Sequence, residues 1–291
     1  SIISNDFIRS LNGPYCMKNL LNFHLFNYAI SSVNKQSSCI YLQENQSWEI
    51  SLIFNSKLHG LNRIIAYNHI VVGVWDFRFY NSQKAETNNI FPDIIAVNNT
   101  ISKKNLIEEY SKYNVEIIDV EALRYLKFVD YTKSKNKFNL KTILICGEYS
   151  LKRTKNLLNF LENFLNSLDQ DINILFKPHP NTPIIPENPK IQVNNNQLYE
   201  LLKISDILFT TSSTNAVVDS YYLKVPAVCL TDKFSFNVSP FIDLKNTYYI
   251  NSNNDLINVM DQIFESNLNN LKEFLFIDNE ISKWKNLLIE V

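Results

Sequence analysis

Residues 205–230 read SDILFTTSSTNAVVDSYYLKVPAVCL, and they fall into four pieces. Ile207–Thr210 is a short apolar run that predicts a buried strand. Thr211-Ser212-Ser213-Thr214 is a run of hydroxyl side chains, Asn215–Leu223 carries apolar residues at helical spacing, and Ala227–Leu230 is a second apolar run behind Pro226. Strand, loop, helix and strand in so short a segment make a βαβ unit, whose repetition dictates a parallel sheet with helices on its faces.

The same alternation extends in both directions. The periodicity predicts strands at Thr142–Cys146, Asn173–Phe176 and Tyr248–Ile250, and helices over Lys152–Leu168, Leu198–Ile204, Asp255–Glu265 and Asn279–Ile289. Towards the N-terminus it predicts strands at Cys39–Leu42, Arg63–Tyr67, Asp93–Val97 and Val115–Asp119, with helices over Met17–Val33, Trp48–Leu58 and Ser102–Tyr113. The polar stretch 130–139, DYTKSKNKFN, interrupts the pattern and reads as a linker. The expectation is an α/β chain of two Rossmann-like doubly wound domains, 1–135 and 136–291. Their strand ends would face a cleft, the place where such sheets bind nucleotides. The chain starts without Met, so the first domain is expected to lack an element at its start.

Composition narrows the function classes. The 291 residues are 45% hydrophobic and 20% charged, which excludes disorder, collagen and coiled coil. A chain of this length buries roughly 75% of its unfolded surface and needs no covalent staples. Its 28 basic and 29 acidic residues leave a net charge of −1, which offers no field for nucleic acid. Cys16, Cys39, Cys146 and Cys229 are scattered, the last three within apolar runs, which points to buried thiols and a cytoplasmic setting. No stretch approaches the roughly 20 apolar residues of a membrane span, and SIISNDFIRS has no signal-peptide core.

A second motif stands upstream of the hydroxyl run. Ile174–Asn181, ILFKPHPN, is a strand that ends in Lys177 and His179 framed by Pro178 and Pro180, whose fixed φ sends the backbone rigidly out of the sheet. An imidazole so placed can donate to a phosphate, and a plain histidine turn is the alternative. Four hydroxyls at a helix start exceed what capping requires and suit an anion, with a ligand-free cap as the alternative.

The strand ending in KPHP, then SDILFTTSST, then LKVPAVCL resembles the nucleotide-binding domain of bacterial GT-B glycosyltransferases of surface-polysaccharide synthesis. The similarity spans most of 141–230 and is nearest to the CMP-sugar users, the sialyltransferases and Kdo transferases. It implies that His179 and Pro180 form a His-Pro motif and that Ser212 and Ser213 are the paired hydroxyls holding the CMP phosphate and cytidine. Lys177, Thr211 and Thr214 stand beside them, and Gly147, Glu148 and Ser150 belong to a glycine turn near the nucleotide. The CDP-glycerol glycerophosphotransferases carry a similar pattern, so CDP-glycerol or a UDP-sugar remains the rival donor. The acidic pair followed by Gly of inverting sialyltransferases is absent.

The first half offers the acceptor-side chemistry. Glu44, Asn45 and Gln46 follow the strand CIYL, where an α/β domain presents catalytic side chains, whereas Glu49 falls inside the next helix and serves its dipole. His69 follows RIIAYN in the same way. WDFRFY at 75–80 brings Asp76 and Arg78 into an aromatic segment suited to a sugar, and an internal Asp76–Arg78 pair fits equally. Glu121 and Arg124 follow the strand EIID. These blocks resemble those of bacterial surface-carbohydrate biosynthesis proteins.

Glycosyl transfer needs charge stabilisation on the leaving phosphate and a carboxylate as base or nucleophile. Glu44, Glu121 and Asp76 are the catalytic candidates, with Asn45, Gln46, His69, Arg78 and Arg124 facing a sugar. Two carboxylates at one anomeric carbon would also fit a retaining double displacement. No ligand spacing for a metal occurs, and no cofactor is expected beyond the nucleotide-sugar substrate. The expected activity is transfer of a CMP-activated ulosonic acid to a capsule or lipopolysaccharide glycan. A lipid-linked oligosaccharide acceptor would bring peripheral association with the inner membrane face. A hydrolysing sugar-nucleotide epimerase and a non-catalytic module are the alternatives. By analogy with GT-B chains, the helix around Trp284 returns to the first domain.

Overall fold

The structure, a computed structural model, describes residue 8 and residues 10–33, 37–80, 90–129, 140–232, 237–239, 241–242, 244, 246–265 and 273–289. The linker expected at 130–139 lies outside these residues. The chain divides into two units, Ser1–Leu126 with Phe274–Val291, and Lys127–Glu273.

In chain order the first unit contains α1 (Gly13–Ser32), β1 (Cys39–Leu42), α2 (Ser47–Leu58), β2 (Ile64–Asn68), β3 (Ile94–Val97), α3 (Thr100–Tyr110) and β4 (Glu116–Asp119). The second contains β5 (Thr142–Cys146), α4 (Leu151–Ser167), β6 (Asn173–Lys177), β7 (Ile191–Val193), α5 (Leu198–Ile204), β8 (Ile207–Thr211), α6 (Ala216–Tyr222), β9 (Ala227–Leu230), β10 (Thr247–Ile250) and α7 (Asn253–Glu265). Helix α8 (Ser282–Ile289) then belongs to the first unit.

The first unit is a parallel sheet in the order β1-β2-β3-β4. Strands β2 and β3 are apolar at nearly every position because both faces are covered. Ile64, Ala66, Ile95 and Val97 face a core with Ile53, Leu106 and Tyr110, while the alternate residues Ile65, Tyr67, Ile94 and Ala96 pack on Trp284 and Leu287 of α8. The Trp284 and Tyr67 rings meet edge-on at 4.9 Å. Helix α1 lies on α2 through Phe23–Phe54 and Phe26–Trp48 ring contacts.

The second unit is a six-stranded parallel sheet in the order β10-β9-β8-β5-β6-β7. The chain enters at β5, winds out to β7, crosses back to β8 and winds out to β10. The reversal point therefore lies between β5 and β8, which is the Rossmann order with its ligand crevice outside the carboxyl ends of those two strands. Leu157, Leu161 and Leu165 put one stripe of α4 on Ile143, Ile145 and Phe209, and Val259 and Ile263 of α7 join the same core. Cys146 and Cys229 are buried here, and desolvation pushes both thiols up to about 12. Among the described residues no helix is long and apolar enough to cross a membrane.

Candidate functional site

At the reversal point of the second unit, a carboxylate gathers the polar groups of both strand ends. Glu148, two residues beyond β5, is 7% exposed. Its Oε2 accepts from Thr211 Oγ1 at 2.6 Å and from Ser213 Oγ, while Arg153 Nε lies 3.7 Å from Oε1. Arg153 Nη1 also donates to Ser213 Oγ at 3.1 Å. The Glu148 backbone is held as firmly, its N–H donating to Thr154 Oγ1 and its carbonyl accepting from Thr182 Oγ1 at 2.9 Å. Gly147 is small for a local reason, since an added Cβ would stand 3.1 Å from Thr154 Cγ2 and 3.4 Å from the Phe176 ring. Ser150 caps α4 by accepting from Arg153 N.

The hydroxyl run stands ahead of the helix, as expected, with its first member drawn into the strand. Thr211 is the last residue of β8, Ser212 and Ser213 form a turn, and α6 starts only at Ala216, with Thr214 Oγ1 accepting from Ala216 N at 3.3 Å. Strand β6 ends at Lys177, whose Nζ donates to the Asn196 carbonyl at 2.7 Å. His179 Nδ1 accepts from Asn181 N at 3.2 Å, which in a neutral ring leaves the proton on Nε2, and the Tyr149 ring stands edge-on to it at 5.7 Å. Pro180 is exposed in the turn that follows.

In the first unit Glu44 and His69 come together at the ends of β1 and β2, with His69 Nε2 3.8 Å from Glu44 Oε1. His69 Nδ1 is buried and has no partner among the described residues. Burial lowers the imidazole's affinity for a proton, Arg124 and Arg78 add to that, and Glu44 opposes it. The ring is therefore held neutral, with a lone pair on Nδ1 when Nε2–H faces the carboxylate. Gln46 Nε2 donates to Glu44 at 2.7 Å. Asn45, at φ +55°, donates to the Arg78 carbonyl at 2.7 Å and to Tyr110 Oη at 3.1 Å. Asn45 takes this left-handed conformation with little strain, its Oδ1 accepting locally from Gln43 Nε2 at 3.1 Å.

Glu49 is a helix-start residue, accepting from the backbone of Glu44, Asn45 and Gln46. Burial raises its pKa and these three bonds oppose the rise. Asp76 is held by a two-pronged bond from Arg78, at 2.8 and 2.7 Å, so these two form the internal pair. The Arg124 guanidinium lies 5.6 Å from the Tyr125 ring centre.

Glu121 requires correction. It is 1% exposed and caps α8, accepting from Lys283 N at 2.8 Å and Trp284 N at 3.0 Å, while its own carbonyl accepts from Trp284 Nε1 at 2.9 Å. A carboxylate consumed by a buried helix end is not available as base or nucleophile. Sequence reasoning returned the helix around Trp284 to the first domain but had no signal that its backbone N–H groups, 162 and 163 residues later, would claim this strand-end acid. It also missed Arg153, whose only signal was a basic residue in the first turn after the Gly-Glu-x-Ser loop.

Neither a protein-family profile nor a curated protein sequence matches the chain. Solved structures do. The UDP-GlcNAc 2-epimerase of Methanocaldococcus jannaschii, in complex with UDP-GlcNAc and UDP, superposes with a TM-score of 0.63 at 15% identity over 96% of this chain and 82% of its own. The UDP-GlcNAc 2-epimerase of Neisseria meningitidis bound to UDP-GlcNAc gives 0.64 at 11% identity, covering 94% and 81%. The glycosyltransferase SnogD of Streptomyces nogalater gives 0.50 at 8%, covering 99% and 82%. At these identities the likeness shows the fold: two parallel-sheet Rossmann-like domains of the GT-B type.

Proposed function

We propose that this chain is a nucleotide-sugar glycosyltransferase whose second unit holds the donor nucleotide and whose first unit supplies the base for the acceptor hydroxyl. The observation that carries the reading is the polar cluster at the β5/β8 reversal point, with Glu148, Thr211, Ser213 and Arg153 bonded together where a Rossmann sheet takes its nucleotide. His179 Nε2–H and the Lys177 ammonium end the neighbouring strand and serve the phosphate. Glu44, the more exposed of the two, takes the proton from the attacking hydroxyl, and His69 orients it through Nε2–H.

The donor we favour is a CMP-activated ulosonic acid, transferred to a surface glycan on a lipid-linked acceptor at the inner membrane face. The His-Pro and Ser-Ser pattern supports it. A UDP-sugar is the second reading, favoured by the UDP-GlcNAc bound in the epimerases of the same fold.

Thermal shift with CMP, CDP, UMP, UDP and GDP tests this, because a ligand at a hundredfold excess over Kd stabilises by about 2.7 kcal/mol. A selective CMP response supports the ulosonate donor, and a selective UDP or UMP response transfers the assignment to UDP-sugars. No response to any of the five overturns the nucleotide reading. Release of free nucleotide without an acceptor would identify an epimerase instead.

A further inference from the structure

The hydroxyl pair at the reversal point has its polarity fixed by its neighbours. An ionised carboxylate only accepts, and a Ser or Thr hydroxyl has one hydrogen to give. Thr211 Oγ1 donates at 2.6 Å to Glu148 Oε2, and Ser213 Oγ donates to the same oxygen. Ser213 meanwhile accepts from Arg153 Nη1 at 3.1 Å. Both hydroxyl hydrogens are thereby spent inside the protein. What the pair and the carboxylate turn towards a ligand is lone pairs.

A phosphate also brings only lone pairs at its ionised oxygens. Placed against Thr211, Ser213 and Glu148 it would meet acceptors and a negative charge, with Arg153 as the only donor of the cluster. Helix α6 gives no relief, since it spans just Ala216–Tyr222 and begins after the turn. A vicinal diol has the opposite character: two O–H donors in a fixed geometry, matching a carboxylate oxygen and a hydroxyl lone pair.

We propose that Glu148 converts Thr211 and Ser213 from phosphate donors into diol acceptors, so that this corner of the second unit reads a cis-diol of the donor. The proposal rests on the nucleotide-sugar reading above and reassigns Thr211 and Ser213 within it. The phosphate falls to His179 and Lys177 on the β6 side. The diol has two sources, the ribose of the nucleotide or the ring of the transferred sugar. Glu148 acts here as a specificity-determining residue with direct contact to the ligand, and Arg153 holds Ser213 in register.

The test compares binding of CMP and UMP with their 2′-deoxy counterparts by titration calorimetry, alongside inorganic phosphate and free D-mannose as a cis-diol sugar. In the native protein, loss of one hydroxyl bonded to a charged acceptor should weaken binding by about tenfold to a hundredfold. Glu148→Gln should bring the ribo and deoxy forms within about threefold while inorganic phosphate binds as well or better. Thr211→Val, which keeps the volume and leaves the carboxylate, should shrink the discrimination without touching phosphate, and serves if the Gln variant fails to fold. Mannose binding that Glu148→Gln abolishes, with no ribo-over-deoxy preference, assigns the diol to the sugar ring.

Nucleotide binding with neither a ribose nor a mannose effect of Glu148→Gln overturns the inference and leaves the nucleotide reading standing. Loss of inorganic phosphate binding in Thr211→Val overturns it as well, because the hydroxyl would then be a phosphate donor. Glu148-dependent mannose binding without any nucleotide binding would keep the diol site and remove the nucleotide reading. Silence from every probe removes both.

Discussion

Replacing Glu121 by alanine is expected to loosen the C-terminal helix rather than stop a proton transfer. The carboxylate accepts from Lys283 N at 2.8 Å and from Trp284 N at 3.0 Å, and both it and Trp284 are buried. Truncation leaves two backbone donors dry, at about 1–3 kcal/mol each, while a lost helix cap taken alone costs about 1 kcal/mol. These figures describe the same two bonds and do not add, so a loss of about 2–4 kcal/mol is expected for the first unit. At about 2–4 °C per kcal/mol for a unit of this size, Tm should fall by about 4–16 °C. Glu121→Gln should cost nearly as much, because its amide nitrogen would face one of the same N–H donors. Melting curves, with hydrogen exchange followed over 273–289, measure both effects. A Glu121→Ala protein that melts within about 1 °C of the native one, keeps its exchange protection and loses turnover would refute the capping argument and return Glu121 to the chemistry.

Burial holds His69 below the ordinary histidine range of about 6.5, so between that value and its folded pKa the unfolded chain binds the proton and the folded chain does not. Stability should therefore fall as pH drops through this window, and His69→Gln should remove the slope. The imidazole should stay neutral to below about pH 6.5, and Glu44→Gln, which takes away the carboxylate that favours the charged ring, should move its titration lower still. A His69 titration, followed by NMR, that lies above the ordinary range or ignores Glu44→Gln would count against the Glu44–His69 pair. Gly147→Ala forces its Cβ to 3.1 Å from Thr154 Cγ2, so Tm should drop by the equivalent of about 1–2 kcal/mol. Nucleotide affinity should fall with it because Thr154 holds the Glu148 backbone, and an unchanged affinity would show that this loop is not part of the site.

The sheets were legible because their strands are buried on both faces and announce themselves as apolar runs. Ile143–Cys146, Ile207–Phe209 and Ile94–Val97 need no partner to be recognised, and each is found within a residue of its expected bounds. Strand β7, Ile191–Val193, was missed because three residues at a sheet edge, only one of them buried, carry no period. The 3₁₀ turns at Phe77–Phe79 and Leu123–Phe128 were missed for the same reason. The site was legible as residue types at strand ends and opaque as partnerships. Nothing in the order of residues says that Glu148 takes the hydrogens of Thr211 and Ser213, because those groups lie more than sixty positions apart.

Those partnerships decide which chemistry the first unit can offer. A two-carboxylate mechanism needs side chains about 5–5.5 Å apart for retention or about 6.5–9.5 Å for inversion with water. Glu121 is spent on α8, Asp76 on Arg78, Glu49 on the start of α2, and Asp119 at the end of β4 is paired with Lys103 at 2.8 Å. The other strand ends carry carboxamides. Gln43, Asn68, Asn98 and Asn99 follow or close β1, β2 and β3, all buried, and neither side-chain polar atom of Asn68 has a partner among the described residues. An amide cannot exchange a proton near neutral pH, whereas it can both donate to and accept from a sugar hydroxyl. Within the proposed function, that pattern leaves Glu44, beside His69, as the base of the first unit.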